Sequence, residues 1–120
     1  MKEFTKYDQE KPATELLPPR ALMSVAEVLA HGAQKYEAEN WKKVDKIRRY
    51  YGAALRHLFA WAQREDLDPD SGLPHLSHAA CCILFILELY QDGTMEGIDD
   101  RSLVEDETIL WSKTPLDVTS

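Results

Sequence analysis

His75 and His78 stand one helical turn apart, directly after an acidic run in which Glu65, Asp66, Asp68 and Asp70 place four carboxylates in six residues. Imidazoles and carboxylates are the donors that hold a divalent cation. A mixed set favours Mn²⁺, Fe²⁺ or Zn²⁺, whereas an all-carboxylate set favours Mg²⁺. Upstream, His57, Trp61, Arg64 or Glu65, and Asp68 follow at i, i+4, i+7/i+8 and i+11, which is one face of a helix if the helix runs that far. Between Lys35 and Arg56 there are seven bases against three acids. Polyphosphate chemistry needs both signs close together: carboxylates hold a cation, the cation neutralises phosphate oxygens, and Lys or Arg steadies the remainder. The same charges also suit a solvated basic helix beside an acidic turn, with the histidines as plain hydrogen-bonding groups.

A second candidate is the segment 32–41. Gly32 frees the backbone, Lys35 can meet a phosphate, and Asn40 with Trp41 can hydrogen-bond to and stack on a base. The bland counterpart is a helix-ending loop anchored by Tyr36 and Trp41. Glu37 and Glu39 are two apart, so they act together on a metal only if this loop is extended. Nucleophiles are poorly served. Ser71 has no base beside it in sequence, and Cys81 and Cys82 lie in an apolar run that raises a thiol pKa. There is no phosphate-binding glycine loop, no CxxC and no zinc-finger spacing. The expected chemistry is attack by a metal-activated water.

The elements that must position these groups read as helices. The chain has 120 residues, 44% hydrophobic and 29% charged, which is one globular domain. Of the net charge of −7, residues 92–120 carry eight acids and two bases, leaving the body near neutral. A near-neutral body excludes general duplex nucleic-acid binding. No apolar run approaches a membrane span, and residues 1–6 contain no signal core, so a cytoplasmic protein is expected. The adjacent Cys81 and Cys82 read as reduced thiols packed in a helix. Apolar periodicity predicts helices over 21–36, from 44 or 45 to 64, and over 74–90. Pro19 suits the first turn of the first helix, and Gly32 is expected to end or bend it. Asp45 is the expected N-cap of the second. On the third helix Leu76, Ala80, Ile83 and Leu87 make the expected core stripe. Strand signals are absent before residue 94. The fold class is all-α: a small bundle of three main helices with an N-terminal extended arm, oligomerising through the apolar third helix. A domain over 1–93 would be followed by an acidic tail over 94–120, whose Leu103, Ile109, Leu110 and Trp111 could dock on the body or on a neighbour.

Several strings have a familiar look: Lys6-Tyr7-Asp8 with Lys11-Pro12 and Leu17-Pro18; Gly32 with Lys35-Tyr36 and Asn40-Trp41; Arg56-His57-Leu58; and Asp68 with Ser71-Gly72-Leu73-Pro74-His75-Leu76 and His78. Together they resemble the phage dATP/dGTP diphosphohydrolase family (MazZ-like), small all-α proteins related to the MazG-type nucleotide pyrophosphohydrolases. The resemblance covers about residues 6–92, most specifically 71–78. It implies hydrolysis of a purine deoxynucleoside triphosphate to the monophosphate and pyrophosphate, with Mg²⁺ or Mn²⁺ as cofactor, in a phage-encoded protein of the host cytoplasm. It also implies a homodimer or homotetramer with a purine nucleotide as partner, and neither duplex nucleic acid nor a membrane. The MazG-type pattern carries E-E-x-x-E on one helix and E-x-x-D on the next. Here the second helix offers Arg56, His57 and Trp61, and only Glu65 and Asp68 keep the E-x-x-D spacing. Spacing and resemblance together assign Glu65 and Asp68 as catalytic metal ligands, His75 and His78 as ligands or phosphate contacts, and Glu39 as a further carboxylate or general base. Lys35 and Arg56 would hold phosphate, Asn40 or Trp41 the base, and His57 is a further substrate-binding residue. The rival reading is a non-catalytic nucleotide-binding protein, such as a phage sponge that sequesters a host immune signalling nucleotide.

Overall fold

Pro18 and Pro19 set where the first helix begins, because proline's missing N–H costs nothing in a first turn. In the computed structural model, which describes residues 3–7 and 9–101, α1 spans Pro19–Lys35 with proline at its start. Gly32 does not end it: the Gly32 carbonyl accepts the Tyr36 N–H at 2.8 Å, and the helix continues to Lys35. The arm before α1 is exposed and holds one 3-10 turn, Thr14–Leu16. A second 3-10 turn, Asn40–Lys43, leads into α2, Arg48–Ala62, and α3 follows over His75–Gln91. Among the described residues there is no strand, only an isolated antiparallel bridge between Leu67 and Pro74. The all-α reading holds.

Asp45 is not the N-cap of α2. That position belongs to Ile47, which has no capping side chain, while Asp45 instead pairs with Arg49 at 2.8 Å. The orphan donors of the helix start are met from the other end of the chain. The Ile47 N–H donates to the Ile98 carbonyl at 2.8 Å, and the Arg48 N–H to the Asp100 carboxylate at 3.0 Å. An anion at a helix N-terminus is favourable both as an acceptor and against the helix dipole. Residues 102–120, with Leu103, Ile109, Leu110 and Trp111, lie outside the described residues.

α2 stops at Ala62, before Arg64, so the helical face expected to carry His57 on to Asp68 does not exist. The helix closes with a Schellman motif. Arg64 takes a left-handed conformation (φ 72°), its N–H bonds the Trp61 carbonyl at 2.9 Å, and the Glu65 N–H bonds Ala60 at 3.0 Å.

α3 is the middle helix and packs on both α2 and α1. Val25, Val28 and Cys81 form the centre of the core, with Leu73, Ala80 and Phe85 against it. The expected core stripe on α3 is corrected: Leu76, Ile83 and Leu87 are 45%, 53% and 45% exposed. The buried side of α3 is instead Ala79, Cys81, Cys82 and Leu89. The small side chains of Ala79, Cys81 and Cys82 let α1 and α2 approach closely from two directions, which leaves Leu76, Ile83 and Leu87 pointing outward. No described helix is long and apolar enough to cross a membrane.

Candidate functional site

The twelve-residue connection between α2 and α3 is held by its own backbone. The Asp68 N–H donates to the Leu73 carbonyl at 2.8 Å, and the His75 N–H to Asp66 at 2.9 Å. The Ser71 N–H donates to Asp68 Oδ2 at 2.9 Å. Pro69 and Gly72 (φ 74°) make the reversal possible. The outcome is that Glu65 and Asp68 come from the loop, while His57 comes from α2 and His75 and His78 from the first turn of α3.

These groups meet. His57 Nδ1 and His75 Nδ1 are 2.9 Å apart, and His75 Nε2 donates to Glu65 Oε1 at 2.8 Å. His57 lies flat on His78, with ring centres 4.7 Å apart and planes at 11°. His78 Nε2 is 2.7 Å from the Ser71 hydroxyl, which also accepts the Leu73 N–H at 3.1 Å. Ser71 therefore does have an imidazole beside it. The contact spans a turn into a helix, for which no spacing rule exists. His75 is buried, and His57 and His78 are half-buried.

Charge states follow from this burial. Desolvation holds the pKa of both His57 and His78 below the ordinary histidine value, with neighbouring imidazoles adding to the effect at each, so both rings are neutral at pH 7. For Asp68, burial pushes the pKa up, but the Ser71 hydrogen bonds outweigh it and the carboxyl stays below its usual value. His57 and His78 thus offer neutral imidazoles and Asp68 an ionised carboxylate, the protonation states that a cation requires of its ligands.

One donor atom each from His57, Asp68 and His75 lies within 4.8 Å of the other two. Two nitrogens and a carboxylate oxygen are a donor set suited to a single divalent ion, which with bonds of ~2 Å would draw them in to ~3–4 Å of one another. Glu65 touches this group through His75, and His78 through its stacking on His57.

Beside the cluster, between the end of α1, the Asn40–Lys43 turn and α3, lies a cavity of about 600 Å³. Its wall includes Lys35, Glu39, Asn40, Trp41, Tyr50, Asp70, His78, Cys82 and Phe85. Trp41 is stacked on Phe85 at 4.6 Å and 7°, and the Tyr50 hydroxyl donates to the Trp41 carbonyl at 2.7 Å. Burial pushes the Tyr50 phenol up to about 12, so it remains a neutral donor. Lys35 closes the rim on Asp70 at 3.2 Å. Glu39 is left-handed (φ 66°) and pairs with Lys42 at 3.2 Å, away from the His57–Asp68–His75 group. Arg56 does not line the cavity; its guanidinium folds back over Gly52.

Sequence reasoning placed Lys35, Asn40 and Trp41 on one wall but missed Tyr50, Phe85 and His31. Phe85 stands seven residues after His78, a stripe position that could have been found. His31 Nε2, on the same wall, is buried with no hydrogen-bond partner among the described residues, and nothing in its spacing signals that.

Residues 2–101 match the family described as dATP/dGTP diphosphohydrolase, N-terminal. A curated relative from Salmonella phage PMBT28, named dATP/dGTP diphosphohydrolase, is 42% identical over 96 residues. That stretch is 80% of this chain and 32% of the relative, so the chain spans about a third of the length of the curated protein it matches. No solved structure matches it.

Proposed function

The chain belongs to the dATP/dGTP diphosphohydrolase family in its N-terminal part, and from that premise we propose that it hydrolyses dATP and dGTP to the monophosphate and pyrophosphate with Mg²⁺ or Mn²⁺. The observation that carries this reading is the histidine–carboxylate cluster opening beside a cavity of about 600 Å³, a size suited to a nucleotide-sized ligand. In the reaction a water oxygen bonds to the α-phosphorus, the bond from that phosphorus to the bridging oxygen breaks, pyrophosphate leaves, and one proton is released.

When bound, a divalent cation supplies positive charge to the phosphate oxygens and polarises the scissile phosphate. Asp68 and His75 would hold it, with Glu65 and His78 fixing the rings around it. Lys35 exchanges its contact with Asp70 for a phosphate oxygen at the cavity rim, and Arg56 supplies charge from the α2 side. Asn40 and Trp41 meet the base. The unpartnered His31 nitrogen gives a base or sugar one further hydrogen bond on that wall. Glu39 is one of three carboxylates on the cavity wall, with Glu37 and Asp70, and would take up the released proton. Such an enzyme works in the host cytoplasm, where the nucleotide pools are, and pairs with a second copy through the exposed aliphatics of α3.

The test is incubation with each dNTP and NTP in Mg²⁺ or Mn²⁺, followed by chromatography of the products. Monophosphate plus pyrophosphate from purine deoxynucleotides alone is expected. Asp68→Asn should slow turnover at least a hundredfold, and full activity in that variant would remove Asp68 from the chemistry. A second reading, a protein that binds a nucleotide and releases it unchanged, draws on the single carboxylate in the three-donor group, a thin charge for holding a cation against a triphosphate. Unchanged nucleotides in every incubation, with one retained on the protein, would select it.

A further inference from the structure

The connection between Glu65, His75 and His57 says more about the cation than its presence. An ionised carboxylate only accepts hydrogen bonds, so the proton on the 2.8 Å contact between Glu65 Oε1 and His75 Nε2 belongs to the nitrogen. The ring's other nitrogen, Nδ1, faces His57 Nδ1 at 2.9 Å, and two nitrogens at that distance hydrogen-bond only when one of them offers a lone pair. A single proton bridges the two nitrogens. Displacement of such a proton by a metal is how imidazole sites load.

Around this bridge each ring is fixed by something other than the bridge. His57 is stacked on His78, His78 is tied to Ser71, and His75 is buried and tied to Glu65. Asp68, the third donor, uses one of its several lone-pair positions on the Ser71 N–H, and the rest remain for a ligand.

We propose that His57, Asp68 and His75 form a nitrogen-rich site for a first-row transition cation (Mn²⁺, Co²⁺ or Zn²⁺) in preference to Mg²⁺, with Glu65 as a positioning residue that sets the His75 tautomer. The proposal rests on the hydrolase reading for the presence of a cation, and narrows which ion and which ligands. It keeps Glu65 out of direct contact with the ion and brings in His57, a residue first assigned to the substrate. Imidazole nitrogens bind the later transition ions far better than Mg²⁺, which prefers oxygen and keeps its waters. A carboxylate behind a histidine ligand orients the ring and strengthens it as a donor, and losing one typically weakens metal binding ~10–100-fold.

The experiment is metal binding by the full chain without nucleotide, so that it is independent of turnover. Metal-stripped protein is titrated with Co²⁺ and with Zn²⁺ by calorimetry and absorption, then challenged with a large excess of Mg²⁺. One equivalent of Co²⁺ per chain is expected, with ligand-field bands that Mg²⁺ does not abolish. His57→Ala and His75→Ala should weaken binding more than a hundredfold. Glu65→Gln should weaken it ~10–100-fold while leaving the stoichiometry and the bands in place. His78→Ala should change it less than tenfold. Circular dichroism on each variant guards against loss of fold, and His57→Gln serves as the milder replacement on the more accessible side.

Displacement of Co²⁺ by Mg²⁺, or unchanged binding in folded His57→Ala or His57→Gln, overturns the site. Loss of the bands in Glu65→Gln, as complete as in His75→Ala, makes Glu65 a ligand and overturns its positioning role. A chain that binds Co²⁺ as described but leaves every dNTP intact supports this site and removes the hydrolase reading. A chain that hydrolyses dATP with Mg²⁺ regardless of His57 does the reverse.

Discussion

Among single residues, the two adjacent cysteines have a chemistry set almost wholly by burial. Cys81 is 3% exposed, donates its S–H to the Val25 carbonyl, and has its thiol pushed up to about 11 by desolvation, with Cys82 adding to the effect. Burial raises Cys82 as well. At pH 8 a thiol titrating near 11 is about one part in a thousand thiolate, and the thiolate is the reactive form. Native protein should therefore react with a thiol reagent such as DTNB at least a hundredfold more slowly than the urea-unfolded chain. Equal rates would mean that α3 is not seated against α1. The histidines contrast with this. His57, His75 and His78 are held by specific partners rather than by apolar surroundings alone, and so can exchange those partners for a ligand.

For the elements, the end of α2 decides where the loop carboxylates go. A left-handed Arg64 is strained, since a side chain in that conformation costs roughly 1 kcal/mol relative to glycine, which adopts it freely. Arg64→Gly should therefore raise the stability of the fold by up to about 1 kcal/mol, read as a higher urea midpoint with the slope unchanged. Glycine loosens the unfolded chain as well, so the net gain is the smaller part of that figure. A lower midpoint would show that the Arg64 side chain has a holding role of its own. The same motif presents Glu65 to His75, so the substitution should leave Co²⁺ affinity within about threefold of the parent.

The scale of the whole molecule brings in the uncovered face of α3. Leu76, Ile83 and Leu87 follow at i, i+7 and i+11, one stripe of a helix whose other sides are already packed on α1 and α2. Three large aliphatics in a row on a central helix suit pairing with the same stripe of a second copy, since a two-fold interface meets itself. Size-exclusion chromatography with light scattering should give at least twice the chain mass. Ile83→Glu should return the mass of a single chain while far-ultraviolet circular dichroism stays the same, because Ile83 points away from the core. A monomeric parent would leave the stripe as ordinary exposed surface.

Three helices, the proline start of α1, the polar break after α2 and the reduced thiols could all be read from local chemistry. Each depends on residues within a turn or two of one another: Pro18 and Pro19, Pro69 and Gly72, the apolar run through Cys81 and Cys82. The same is true of Lys35, Asn40 and Trp41, which are close in sequence and stay together on one cavity wall. What depends on contacts across the chain could not be read this way. Asp100 on the start of α2, Ser71 on His78, Phe85 on Trp41 and the choice of which side of α3 is buried all join separate elements. His57 is the clearest case. Its helical spacing to Asp68 pointed to a shared face if the helix ran that far, but α2 ends at Ala62 and the two meet only because a twelve-residue connection, opening with a Schellman turn, folds the chain back. The sequence by itself determined which donor types were present and which helices carried them, because propensity and periodicity are local. Only the tertiary structure decided which three donors converge, because that depends on how far one helix runs before its end turns the chain.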